Sequence, residues 1–293
     1  MEGKDKRTDD ELVEQYHCSR WSNRAAAADV MGWHEKSTKY MSDCVRNSTP
    51  SRLDVPYGTG PKQKLDIFGE GSVPDDAPIF VFIHGGYWHC MGREYYSFVA
   101  EPLVQAGALV VLPGYDLAPQ VSLGDIVKMV KECIGKIFEI AQLRGSRGVY
   151  LSGHSAGGHL AAAMLCQSWT QEELSFLKGA VLLSGVFDVR PALPYLATSN
   201  IVFTQEEAWE WSPMRTAQKT TPGIKCLVIV GGEESQEFQR QSLEYYSALK
   251  DLGIAAEYLA MPDRDHFDLV ENLLQKSDPL TKILLDFVGL EKS

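Results

Sequence analysis

The chain has 293 residues, 44% hydrophobic and 23% charged, a globular balance at a size that can bury a large core without disulfide or metal staples. Its 39 acidic against 28 basic residues leave a net charge of −11, which repels nucleic acid and anionic membrane surfaces, and no Lys/Arg cluster with interleaved aromatics offsets that field. Six scattered cysteines without a CxxC pair, a charged start with no secretory apolar run, and no apolar stretch near the ~18 residues of a membrane span point to a reducing setting, cytoplasmic and also open to the nucleus.

Thr8-Asp9-Asp10-Glu11 reads as a capping box opening a short helix, and residues 21–40 are helix-compatible with weak periodicity. Residues 1–50 are therefore expected to form a helical extension packed on a catalytic domain spanning 51–293. From residue 51, short β-like runs alternate with helix-period runs. Strands are predicted at 53–57, 64–68, 79–84, 108–112, 148–152, 179–184, 226–230 and 255–260. Helices are predicted at 95–106, 123–143, 156–169 and 237–252. Continuous apolar runs such as Ile79-Phe80-Val81-Phe82-Ile83 mark strands covered on both faces. The fold class is thus α/β, with a mostly parallel eight-stranded sheet flanked by helices. Residues 187–222 break the rhythm with Pro191, Pro194 and Pro213 among Tyr195, Phe203, Trp209 and Trp211, an irregular segment suited to capping an active site.

The sharpest chemical signal is Gly153-His154-Ser155-Ala156-Gly157, which follows a β run and opens a helix-forming run. That context makes the pentapeptide a nucleophile elbow of the α/β-hydrolase fold, whose tight turn pushes the serine Oγ clear of the sheet. Serine needs a base within hydrogen-bond reach. Of the two histidines after Ser155, His159 lies one turn up the same helix, whereas His266 falls in a polar loop past the last predicted strand, where this fold places its base. The orienting acid belongs on the loop after the penultimate strand. Glu233 and Glu234 compete there, Glu234 preferred, and Asp188 is a third option; Asp265 and Asp268 are expected to face solvent. For the oxyanion, His84-Gly85-Gly86-Tyr87-Trp88 ends a strand with glycines that let backbone N–H groups approach a carbonyl. Gly85 and Gly86 are assigned as donors together with the N–H of Ala156. The triad requires neither metal nor organic cofactor.

His84-Gly85-Gly86-Tyr87-Trp88 combined with Gly153-His154-Ser155-Ala156-Gly157 resembles the kynurenine formamidases (arylformamidases), relatives of the hormone-sensitive-lipase branch of α/β hydrolases. Ser19-Arg20-Trp21, Val55-Pro56-Tyr57-Gly58, Ser184-Gly185-Val186-Phe187-Asp188 and Asp265-His266-Phe267 extend the resemblance over nearly the whole chain. It implies hydrolysis of N-formyl-L-kynurenine to L-kynurenine and formate in tryptophan degradation, and it leaves a homodimer open. It also favours Glu234 over Glu233, with one departure. Vertebrate members carry Asp-Ser-Pro-Glu-Phe where this chain has Glu234-Ser235-Gln236-Glu237-Phe238, so an acid one methylene longer must reach His266. Against such a substrate the aromatic ring needs an apolar slot, for which Trp88, Tyr87, Tyr195, Phe203 and Trp209 are candidates. The motifs equally suit a general carboxylesterase acting on small acyl esters. A reading of another class, an inactive hydrolase-like binder of a small ligand, is disfavoured because both Ser155 and His266 are retained.

Overall fold

The computed structural model describes residues 7–24 and 26–290. Eight strands form one sheet: β1 (Ser51–Pro56), β2 (Lys64–Phe68), β3 (Ile79–Ile83), β4 (Leu109–Pro113), β5 (Val149–His154), β6 (Leu177–Leu183), β7 (Lys225–Gly231) and β8 (Ala255–Met261). Their order across the sheet is β1-β2-β4-β3-β5-β6-β7-β8. β1 and β2 pair antiparallel, as do β2 and β4, and every later pair is parallel. The carboxyl ends of the parallel strands therefore share one edge, where α/β sheets place their ligands.

Two helices precede the sheet, α1 (Asp9–Tyr16) and α2 (Ala27–Ser48). Within the alternating region lie α3 (Ala100–Gln105), α4 (Leu123–Arg144), α5 (Ala156–Leu165) and α6 (Gln171–Phe176). Between β6 and β7 come α7 (Leu193–Thr198), α8 (Gln205–Glu210) and α9 (Pro213–Thr216); α10 (Gln236–Asp251), α11 (Asp268–Glu271) and α12 (Pro279–Val288) complete the chain. Thr8 caps α1 through the reciprocal bonds expected of it with Glu11.

Three of the boundaries that differ from the sequence reading have a clear physical reason. The helix expected at 95–106 begins as two 3₁₀ turns and becomes α-helical only at Ala100, because Pro102 has no N–H and is tolerated only in a first turn. α5 stops at Leu165, short of residue 169, where Thr170 turns to cap the next helix and the Trp169 indole bonds the Met164 carbonyl at 2.9 Å. α2 starts at residue 27 rather than 21, since Cys18–Trp21 forms a 3₁₀ turn and Ser22 and Arg24 are drawn toward the far end of the chain. The segment expected to be irregular holds three short helices, two of them started by proline.

Core packing follows from strand alternation. In β3, Ile79, Val81 and Ile83 face one apolar cluster while Phe80 and Phe82 face the other, and all five are fully buried. All six cysteines are free thiols. Among the described residues, no helix is long and apolar enough to cross a membrane.

Candidate active site

β5 ends at His154 and α5 begins at Ala156, leaving Ser155 as the single residue of a reversal with φ 57° and ψ −119°. That backbone region is strained for a side-chain-bearing residue, and strain of this kind clusters at functional sites. The flanking glycines are required: a Cβ on Gly153 would overlap the Gly157 carbonyl, and one on Gly157 the Ile83 carbonyl. The Ser155 N–H is spent on the Leu183 carbonyl at 2.9 Å. Its Oγ has no hydrogen-bond partner among the described residues, and the residue lines a cavity of about 150 Å³.

His266 lines the same cavity from the loop after β8. Its Nδ1 lies 2.6 Å from Glu234 Oε2; a carboxylate only accepts, so Nδ1 carries a proton, and the Cys18 side chain is a second hydrogen-bonding neighbour of the ring. The other Glu234 oxygen accepts from the Ser184 hydroxyl and, at 2.8 Å, from the Gly231 N–H. The rival acids are engaged elsewhere. Glu233 is exposed and accepts from Asn23 at 2.8 Å, and Asp188 forms a two-pronged pair with Arg190. The solvent-facing expectation for Asp265 is overturned: it is buried, and its carboxylate accepts from the N–H groups of Phe267 and Asp268, each at 2.8 Å. Asp268 is half-buried beside it, and burial together with Asp265 pushes its carboxyl up to about 6.

Electrostatics separate His266 from its neighbours. Burial pushes His84 down to about 3, His159 to about 4 and His154 well below the ordinary imidazole value, so these rings stay neutral. His159 is also spent at both nitrogens, donating to the Trp211 carbonyl and accepting from the Trp88 indole. At His266 burial acts in the same direction, yet Cys18 and Glu234 outweigh it and hold the ring well above its ordinary value. An imidazole whose cation is supported can take a proton in a reaction and return it.

Gly85 packs against the nucleophile, since a Cβ there would sit 3.2 Å from the Ser155 Cβ and 2.9 Å from the His154 carbonyl. Gly86 lies at φ 112° and borders the cavity; a Cβ on it would strike the Cys90 carbonyl. Ala156 is the first residue of α5, whose opening N–H groups have no intrahelical acceptor. The chain between β3 and the next turn is itself held in unusual backbone, with Tyr87 at φ 45° and Trp88 at φ 61°.

Of the five aromatics expected at the substrate slot, Tyr87 and Tyr195 line the cavity and their rings meet at 4.8 Å. Trp88 does not. It is fully buried, its indole bound to His159 behind the site. Phe203 packs edge-on to Trp88 and borders a separate surface pocket, and Trp209 lies under the Arg190 guanidinium at 3.7 Å. The sequence reading missed a further wall, built by Cys18, Ser19, Met31 and His34 of the N-terminal extension with Tyr96 and Phe267. Cys18 Sγ sits 3.3 Å from the Tyr87 hydroxyl, which donates to the Tyr16 carbonyl at 2.7 Å. The signal for this wall was present in Ser19-Arg20-Trp21, a motif whose place in space the sequence does not give.

Residues 80–268 match the family model of the alpha/beta hydrolase fold. The chain is 38% identical to the kynurenine formamidase of Danio rerio over 284 residues, covering 96% of both proteins. It is 35% identical to the kynurenine formamidase of Salmo salar over 285 residues, again 96% of each. A crystal structure of a candidate thioesterase from Silicibacter sp. tm1040 superposes with a TM-score of 0.78 at 27% identity, covering 93% of this chain and 98% of the other. With an eight-stranded sheet of this topology and an end-to-end likeness to two such enzymes, the chain belongs to the kynurenine formamidase family of α/β hydrolases.

Proposed function

We propose that the protein hydrolyses N-formyl-L-kynurenine to L-kynurenine and formate, with Ser155 as nucleophile, His266 as general base and acid, and Glu234 as the orienting carboxylate. One observation carries the reading: an unpartnered serine hydroxyl and a carboxylate-bound imidazole line one small cavity, in a chain similar from end to end to named kynurenine formamidases.

His266 Nε2 takes the Ser155 proton as Oγ attacks the formyl carbon. The N–H groups of Gly85, Gly86 and Ala156 receive the developing oxyanion, and losing one such donor typically costs about 3 kcal/mol. The imidazolium, stabilised by Glu234, then protonates the weakly basic aniline nitrogen, and kynurenine leaves a formyl-serine. Water activated by the same imidazole releases formate. Tyr87 and Tyr195 offer apolar faces to the kynurenine ring. The unpaired thiols suit a reducing compartment, which supports a cytoplasmic location, with the nucleus part of the same reading. A homodimer belongs to the reading through the family alone.

Purified protein given N-formylkynurenine is expected to generate kynurenine absorbance. Ser155→Ala and His266→Ala should each lower kcat by about 10⁵-fold or more. Absent turnover beside rapid cleavage of short acyl esters would replace this reading with a carboxylesterase.

A further inference from the structure

The loop that carries His266 is held from outside by the N-terminal extension. Arg24 Nε donates to Asp265 Oδ2 at 2.7 Å and the Ser22 hydroxyl to the same oxygen at 2.6 Å, with Arg24 Nη2 3.3 Å from Oδ1. Arg24 Nη1 reaches Glu271 Oε2 at 2.7 Å, and the second oxygen of Glu271 accepts from His34 Nδ1 at 2.7 Å. Asp265 passes this anchorage inward. Its Oδ1 takes the N–H groups of Phe267 and Asp268, while its own N–H donates to Asp268 Oδ1 at 2.8 Å. His266 lies between these bonded residues, and its carbonyl is fixed from the nucleophile strand by His154 Nε2 at 2.8 Å.

We propose that Arg24, with Ser22, is a positioning residue for His266, setting the imidazole through Asp265 without touching substrate. The proposal rests on His266 being the base. The chemistry explains why a guanidinium is needed. Asp265 and Asp268 are adjacent carboxylates in a loop that is buried or half-buried, and Glu271 adds a third on the following helix. One planar fork neutralises Asp265 and Glu271 together and fixes the direction of the Asp265 carboxylate, which in turn fixes the turn at residues 265–268. The same segment is tied to the acid loop through Asn23 and Glu233, and residues 17–19 wall the cavity. The extension that closes the pocket is thus also what aims the base.

Arg24 also sets the local charge. His266 is faced directly by Glu234, Cys18 and His154, and Asp265 and Asp268 flank it, with Arg264 next along the chain and bonded away to Asp278. Removing Arg24 leaves Asp265 and Glu271 without their shared cation. Uncompensated negative charge favours the imidazolium, so the acid limb of kcat/KM moves to higher pH.

The test begins with wild type and His266→Ala on N-formylkynurenine, which reads the function on its own. Arg24→Ala is then expected to lower kcat about 10- to 100-fold with KM changed by less than about threefold, and to raise the acid limb by about half a pH unit. Arg24→Lys should return the limb to its wild-type position and restore kcat only in part. Wild-type kcat and limb in Arg24→Ala, with only a lower melting temperature, would mean a plain staple and overturn the proposal. If Arg24→Ala does not fold, Ser22→Ala, which keeps the ion pair, should still lower kcat at temperatures well below its melting transition; an unchanged kcat there overturns it. If wild type does not act on N-formylkynurenine, the function reading fails separately. The rate of Ser155 labelling by a fluorophosphonate then reports the same substitutions, and equal rates in wild type and Arg24→Ala reject the positioning role.

Discussion

Glu234 is where a longer acid had to be accommodated, and three donors show how. Ser184 and the Gly231 amide hold one oxygen, which turns the other onto His266 at 2.6 Å. The extra methylene is absorbed because the carboxylate is clamped by the ends of β6 and β7 rather than left to reach across solvent. This pairing has a titration consequence. His266 is held above its ordinary value of 6.5, and it accepts a proton only when neutral, so kcat/KM should rise through a midpoint above 6.5. Replacing the carboxylate by an amide removes charge that favours the imidazolium. Glu234→Gln is therefore expected to move that midpoint to lower pH and to reduce kcat about 10⁴-fold. A pH–rate series on the two proteins decides it, and an unmoved midpoint rejects the pairing as the cause. The carboxylate that meets His266 was legible because strand order confined the candidate to one loop. Asp265 was misread because only the fold reveals that Arg24, some 240 positions away, arrives to neutralise it.

At the scale of elements, the sheet was readable and the cap was not. Strands buried on both faces, such as β3 and β4, write themselves as apolar runs, and all eight strands of the sheet fall within two residues of the expected ranges. The cavity wall is different. Tyr195 comes from the proline-rich insertion, but much of the remainder comes from the segment after α1, whose placement depends on contacts far away in sequence. α1 packs on α7 and α10. Its anchor is Tyr16, fully buried, whose hydroxyl donates to Glu237 Oε1 at 3.1 Å and accepts from Gln241 Nε2 at 2.5 Å. Tyr16→Phe keeps the ring but leaves buried polar atoms of Glu237 and Gln241 one partner short, a loss of about 1–3 kcal/mol. Urea unfolding should show a lower midpoint with unchanged slope. Because the Tyr16 carbonyl that holds Tyr87 is a backbone atom, kcat below the unfolding range should stay near wild type. A large fall in kcat at full stability would mean that α1 acts on the chemistry through its hydroxyl.

For the molecule as a whole, the proposed parts of the site leave the carboxyl ends of four parallel strands. The amide loop follows β3, the serine follows β5, and the acid and base follow β7 and β8. Their spacing is therefore set by the sheet, and the sheet is set by packing on both faces. Phe82 is central to that packing: fully buried on β3, it meets Tyr96 at 5.8 Å between ring centroids, and Tyr96 lines the cavity. Phe82→Ala deletes a ring that neighbours on a rigid sheet cannot close over, a loss of about 3–5 kcal/mol. Since all the strand ends shift together when the sheet fails, activity and secondary structure should be lost in one transition as urea rises. Arg24→Ala should instead separate them, with catalysis reduced before any unfolding. Following circular dichroism and turnover on the same samples tests this. Two separated transitions in Phe82→Ala would mean that the loops hold their geometry independently of the sheet beneath them.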